Sequence, residues 1–233
     1  MSSKINKIFF CRKKSPLIVA IDREPQIEIM NFLENVTDNI AGVKIGLPYL
    51  LSPGINHIRE IVDEFKDNYF FIADLKLADI GYVSHIMLNI AEKIGFDAVI
   101  AHGFIGLEGA LDEIKKTADS LNLFLFIVAA MSHPGAEDLL NKNVDKILEI
   151  CNKISVRGFV APATMPSYIK RIKERYSDAI IISPGIGAQG APIGSALKAG
   201  ATFEIIGRRI TLSSDPVAEV KNIVQVYEEL GLI

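Results

Sequence analysis

Apolar, largely β-branched runs of strand length recur along the chain, and the stretches between them change period. The runs fall at Leu17–Asp22, Gly42–Gly46, Phe70–Lys76, Ala98–His102, Leu123–Ala129, Gly158–Ala161, Ile180–Ser183 and Glu204–Gly207. Between them, segments such as Gly106–Ser120 and Glu137–Ser155 set apolar residues three and four apart among Lys, Glu and Asp, the pattern of a helix with one buried face. Repeated strand–helix alternation predicts parallel strands joined by right-handed crossovers, and a chain of 233 residues is long enough for such a sheet to close. The expected fold is α/β: a single (β/α)8 TIM barrel over residues 15–233, behind an N-terminal extension of residues 1–14. An open, doubly wound sheet shares the alternation and is the competing architecture.

Charges interrupt the third run, Phe71-Ile-Ala-Asp-Leu-Lys-Leu-Ala-Asp-Ile80. Asp74 and Lys76 are two apart, so a pleated strand aims them the same way, and Asp79 follows just past the strand's end. Charges placed where Phe70 and Ile72 make core are costly unless they pair or do chemistry. Val43-Lys44-Ile45 puts a further lysine inside the second run. Barrels gather their chemistry at the C-terminal ends of the strands. The unusual polar residues fall there: Asp22, Lys44, Asp74 with Lys76, His102, Ser132 with His133, Ser183 and Arg208. Alone, Asp22 after Leu-Ile-Val-Ala-Ile reads as a turn former; the gathering on one rim reads as a site.

The seventh run leads into Ser183-Pro-Gly-Ile-Gly-Ala-Gln-Gly190 and the eighth into Ile206-Gly-Arg208. Glycines let backbone N–H groups approach an anion, and loops seven and eight of such barrels often hold a phosphate. The Arg208 fork and the Gln189 amide can both donate to it. Gly-x-Gly by itself is only a tight turn; beside Gly207-Arg208 it reads as a phosphate site. The loop's length and small side chains also suit it to fold over a ligand.

Whole-chain properties narrow the class. A net charge of −3 and a pI near 5.9 give no basic footprint for nucleic acid. Cys11 and Cys151 make neither a disulfide framework nor a metal set, and are read as reduced thiols of a cytoplasmic protein. Ile8-Phe9-Phe10 is too short for a signal-peptide core, and the glycines and prolines of the uncharged stretch Ala179 to Leu197 argue against a spanning helix. No membrane partner is expected.

The motifs Ala20-Ile-Asp22, Val43-Lys-Ile-Gly46, Asp74-x-Lys76-x-x-Asp79-Ile80, Ala101-His-Gly103, Met131-Ser-His-Pro-Gly135, Ser183 to Gly190 and Ile206-Gly-Arg208 span nearly the whole chain. Together they resemble the orotidine 5′-phosphate decarboxylases in their short prokaryotic and archaeal form. The resemblance implies decarboxylation of orotidine 5′-monophosphate to UMP, the last step of de novo pyrimidine biosynthesis, without metal or organic cofactor. It implies a homodimer in which Lys44, Asp74 and Lys76 of one subunit meet Asp79 of the other, and it places Ile80 among the substrate-binding residues. Asp74 would face the substrate carboxylate, Lys76 would protonate C6, and Lys44 would hold Asp74 and touch the ribose. Asp22 would bind a ribose hydroxyl, Ser132 the pyrimidine edge, and Gln189 with Arg208 the phosphate. Pro184, Gly185, Gly187 and Gly207 would supply the surrounding backbone, with Ile100, Val128 and Val160 as apolar neighbours of the departing carboxylate.

The chain departs from the family at Gly81-Tyr-Val-Ser84, where Val83 replaces a ribose-binding threonine and Ser84 is the nearest substitute hydroxyl. Two rival readings remain. A metal-dependent sugar-phosphate decarboxylase or aldolase of the same suprafamily would want a carboxylate where Lys44 stands. A silent phosphate-binding barrel would have no need of Asp74 beside Lys76. His102 and His133 are expected to make structural hydrogen bonds, and Lys170, Arg171, Lys173 and Arg175 to form a solvated helical face.

Overall fold

Hydrogen bonding along the eight apolar runs closes them into a parallel barrel in chain order. In this computed structural model, which describes residues 3–25 and 27–233, the strands are β1 (Leu17–Ile21), β2 (Gly42–Gly46), β3 (Phe70–Leu77), β4 (Ala98–His102), β5 (Phe124–Val128), β6 (Gly158–Val160), β7 (Ile180–Pro184) and β8 (Phe203–Ile206). Register runs continuously round the ring, with Val19 opposite Val43, Val43 opposite Phe71, and Val19 also opposite Ile206. Every residue of β1, β2 and β5 is buried, because one set of side chains fills the barrel and the alternate set meets the helices. The closed ring excludes the open-sheet alternative.

The helices bury one face each, as the spacing predicts. Ile55–Phe65 turns Ile58, Ile61, Val62 and Phe65 inward, and Val144–Lys153 does so with Val144, Ile147, Leu148 and Cys151. The helix expected over Gly106–Ser120 is shorter, Asp112–Ser120. Gly106 and Gly109 take φ of 86° and 69°, so the chain enters through an irregular turn that a sequence period does not register. Likewise Pro134–Asp138 and Asn141–Asn143 are short 3₁₀ turns before the helix proper.

The N-terminal extension forms the helix Ser3–Arg12 across the end of the barrel opposite the candidate site. Its contacts all fall just before strands begin. Lys4 and Lys7 donate to Asp97 at 2.6 and 2.5 Å, Arg12 Nε donates to the Thr202 carbonyl at 2.9 Å, and Cys11 Sγ lies 3.8 Å from the Asn68 carbonyl. Asp97 also accepts from Phe71 N at 2.9 Å, so one buried carboxylate ties the helix to β3 and β4. Cys151 is sealed in the core, where burial pushes its thiol up to about 12, and neither cysteine is in a disulfide.

Asp97→Ala strands the Phe71 N–H in the core. It should cost roughly 1–3 kcal/mol in denaturant titration. Lys7→Ala, which leaves Asp97 with Lys4 and Phe71, should cost under about 1 kcal/mol. Equal losses would mean that the carboxylate is not the anchor.

Candidate active site

The C-terminal mouth holds a cleft of about 420 Å³, a size suited to a small ligand. At its floor Asp74 and Lys44 are each only 6% exposed. Lys44 Nζ donates to Asp74 Oδ2 at 2.7 Å and to Asp22 Oδ1 at 3.3 Å, while Lys76 Nζ donates to both Asp74 oxygens at 2.8 Å. The result is an alternating chain, Asp22–Lys44–Asp74–Lys76, drawn from the ends of three adjacent strands. Burial by itself would raise the Asp74 pKa; Lys44 and then Lys76 outweigh it and hold the carboxyl below its ordinary value.

Two backbone features make the chain possible. A Cβ on Gly46 would lie 1.9 Å from Asp22 Oδ1, so only glycine leaves room for that carboxylate to lean over β2. Lys76 has φ of 44°, a left-handed conformation that costs a non-glycine residue on the order of 1–3 kcal/mol. It falls where the β3–β4 register slips between Ala73 and Leu77. Both charges therefore serve one site, but across a local distortion and not by the regular pleat the sequence suggests.

Ile100, Val128 and Val160 form an apolar wall to the same cleft. At its other end, Pro184, Gly185, Gln189, Gly207 and Arg208 line the space. Gly185 and Gly187 have φ of 109° and 70°, and the turn is held by Gly187 N to the Ala191 carbonyl at 2.9 Å. Ser132 Oγ donates to Gln189 Oε1 at 2.7 Å, bridging the β5 and β7 loops over the mouth. The arrangement juxtaposes an ionised, preorganised floor with a glycine-rich, cationic end.

Of the sixteen residues expected at the substrate site from sequence, all but Asp79, Ile80 and Gly187 line this cleft. Gly187 lies within the β7 turn without lining it. Asp79 and Ile80 are exposed and apart from it, and Asp79 Oδ1 accepts from Ile80 N at 2.8 Å. Ser84 is fully buried and its Oγ donates to the Asp79 carbonyl at 3.3 Å, so it does not replace the hydroxyl missing at Val83. His102 lacks its expected hydrogen bond: Nδ1 is buried without a partner, and the ring packs against Phe104 at 4.8 Å. Burial, and then Lys76, hold its pKa below the ordinary value, so it is neutral at pH 7. Sequence reasoning missed Arg23, Met131, Pro162 and Thr211, which also line the cleft. Position just beyond a strand end was the only signal for Arg23 and Pro162. Among the described residues no three His, Cys, Asp or Glu side chains group as a metal site, and no helix is long and apolar enough to cross a membrane.

A family model described as "Orotidine 5′-phosphate decarboxylase / HUMPS family" matches residues 15–223. Among curated relatives, an orotidine 5′-phosphate decarboxylase from Aeropyrum pernix is 41% identical over 79% of this chain and 76% of its own length. One from Saccharolobus solfataricus is 37% identical over 93% of each chain. Among solved structures, the Sulfolobus solfataricus decarboxylase superposes with a TM-score of 0.85 at 33% identity, covering 92% of this chain and 98% of its own. The Methanocaldococcus jannaschii enzyme, complexed with the inhibitor BMP, gives 0.80 at 35% identity, covering 90% and 96%.

The depressed Asp74 pKa ties stability to pH with a definite sign. Its contribution is complete above the unfolded carboxyl pKa of about 3.9 and is lost as pH falls through the lower folded value. Asparagine mimics the protonated acid. The stability gap between wild type and Asp74→Asn should therefore narrow as pH is lowered below about 4. A gap that stays flat or widens contradicts the ion-pair account.

Proposed function

The chain belongs to the orotidine 5′-phosphate decarboxylase / HUMPS family and decarboxylates orotidine 5′-monophosphate to UMP; we propose that the Asp22–Lys44–Asp74–Lys76 chain carries out that reaction. The observation that carries this reading is Asp74, ionised and buried at the cleft floor between ammoniums at 2.7 and 2.8 Å. Loss of carbon dioxide leaves a vinylic carbanion at C6, so the site must stabilise negative charge growing at that carbon. Lys76 does so as a fixed ammonium and then delivers its proton to C6. Asp74 faces the substrate carboxylate, a repulsion relieved as carbon dioxide departs into the apolar pocket of Ile100, Val128 and Val160. Lys44 holds Asp74 and, with Asp22, meets the ribose. Gln189 and Arg208 take the phosphate, whose binding energy is applied at the distant carbon through closure of the β7 loop. The metal-dependent alternative is disfavoured because the Lys44 ammonium already engages both Asp22 and Asp74.

The same reading makes the protein a homodimer. Asp79 and Ile80 lie outside their own chain's cleft and begin the helix Gly81–Ile94. Tyr82, Ile86 and Ile90, exposed at 71%, 45% and 41%, recur every fourth residue along it. This apolar stripe is continuous with Asp79, and a second copy seated on it would bring Asp79 to the neighbouring cleft. Leu88, on the opposite face, is core. We assign the enzyme to the cytoplasm, in keeping with its two unpaired, buried thiols.

Loss of ultraviolet absorbance by orotidine 5′-monophosphate should proceed undiminished in excess EDTA, and Lys76→Ala should slow it at least ~10²-fold while UMP still binds. Activity of that variant within about tenfold of wild type would remove Lys76 from the mechanism.

Asp79→Ala and Lys76→Ala homodimers should each be nearly inactive. Subunit exchange between them should restore activity, because one cleft of each heterodimer then carries neither lesion. Confirmed heterodimers without recovered activity would overturn the shared site.

A further inference from the structure

The charges that line the cleft are unequal. Four cations, Lys44, Lys76, Arg23 and Arg208, face two carboxylates, Asp22 and Asp74. The lysines are matched with the carboxylates through contacts of 2.7, 2.8 and 3.3 Å. The surplus resides in Arg23 and Arg208, whose guanidiniums make no ion pair or hydrogen bond with any described residue. Among the other described arginines, Arg209 pairs with Glu219 at 2.5 Å and Arg157 with Asp178 at 3.3 Å, while Arg59 and Arg175 show no partner but do not line the cleft.

The two unmatched guanidiniums share one side of the mouth. β1 and β8 pair in parallel with Val19 opposite Ile206, so Arg208 follows the end of β8 by two residues and Arg23 follows the end of β1 by two. The strands run so close there that a Cβ on Gly207 would lie 3.3 Å from both Ala20 Cβ and the Ala20 carbonyl oxygen. Arg23's nearest acidic neighbours do not neutralise it. Asp22 is drawn over Gly46 to Lys44, and Glu24 does not line the cleft. Both residues are exposed at the rim, so water screens their mutual repulsion, and an anion lying between them would be attracted by both.

We propose that Arg23 is a second guanidinium for the substrate's 5′-phosphate, acting from the β1 side opposite the β7 turn. This rests on the reading that places the phosphate at Arg208. The surplus of two positive charges then meets a phosphate dianion of equal and opposite charge, and the planar forks offer it paired N–H donors. The role is one of binding: Arg23 grips the phosphate of substrate and product alike, far from the reacting carbon.

Calorimetric binding of UMP and of uridine tests this with wild type, Arg23→Ala, Arg23→Lys and Arg208→Ala. Wild type should favour UMP strongly over uridine, and Arg208→Ala should erode that preference. Arg23→Ala should weaken UMP by about ten- to a hundredfold, the worth of a hydrogen bond to a charged group, while uridine shifts less than about threefold. Arg23→Lys should recover part of the loss, because it keeps the charge without the fork. If Arg23→Ala leaves UMP within about twofold of wild type, Arg23 is a solvated surface arginine and the proposal fails alone. If it weakens both ligands equally, Arg23 supports the fold and the proposal fails. If wild type does not distinguish UMP from uridine, the phosphate end itself is misplaced, and Arg23 falls with it.

Discussion

A carboxylate that must stay ionised at the floor of a barrel is the constraint on which the rest of the site depends. Asp74 is almost wholly removed from water, and burial alone would push its pKa up. Keeping its charge requires cations at contact distance, so Lys44 is itself buried on β2 and Lys76 is bent back on β3 through a left-handed backbone. Lys44 then needs more than one acceptor, which draws in Asp22, and Asp22 reaches it only over the missing side chain of Gly46. One ionised group thus dictates residue type at four further positions. The group is preorganised before substrate arrives, so little reorganisation is left for the moment at which charge develops on carbon.

The two ends of the cleft divide the work by polarity. In the proposed mechanism, the charge that reacts is paired at the floor, beside an apolar wall. In that reading, charge that only binds is left unmatched at the rim, where Arg23 follows β1 and Arg208 opens the short helix after β8 beside the glycine-rich β7 turn. Lys44, Asp74 and Lys76 lie on strands, whereas Arg23, Gln189 and Arg208 lie beyond strand ends, so the same reading places the reacting groups on the more rigid elements.

Most of the fold was legible because its signal is a period. Every expected strand lies within a residue or so of an observed one, since fully buried parallel strands read as continuous apolar runs. The helix expected from Gly106 begins late, because positive φ at Gly106 and Gly109 overrides a pattern that continues through them. Asp74, Lys44 and Lys76 stood out as charges in apolar company. What did not stand out was their geometry: a lysine at φ of 44° is imposed by a slipped register with β4, and no local preference announces it. Asp22 could be recognised as a strand-end acid but not as the outer partner of Lys44. Ser84 looked like a spare hydroxyl until packing committed it to the Asp79 carbonyl. Arg23 is indistinguishable in sequence from any surface arginine; only the roll of charges around one cavity leaves it over.

The helix Ser3–Arg12 also bears on the order of events during synthesis. Within this sequence it precedes every strand, yet the groups it docks on lie far along the chain. Asp97 is 90 or more residues downstream of the lysines that hold it, and the Thr202 carbonyl is 190 residues downstream of Arg12. Its seat is therefore unfinished until the last strand has been translated. Contacts of such long separation are slow to form. The end of the barrel opposite the cleft is therefore completed only when strands distant in sequence have come together.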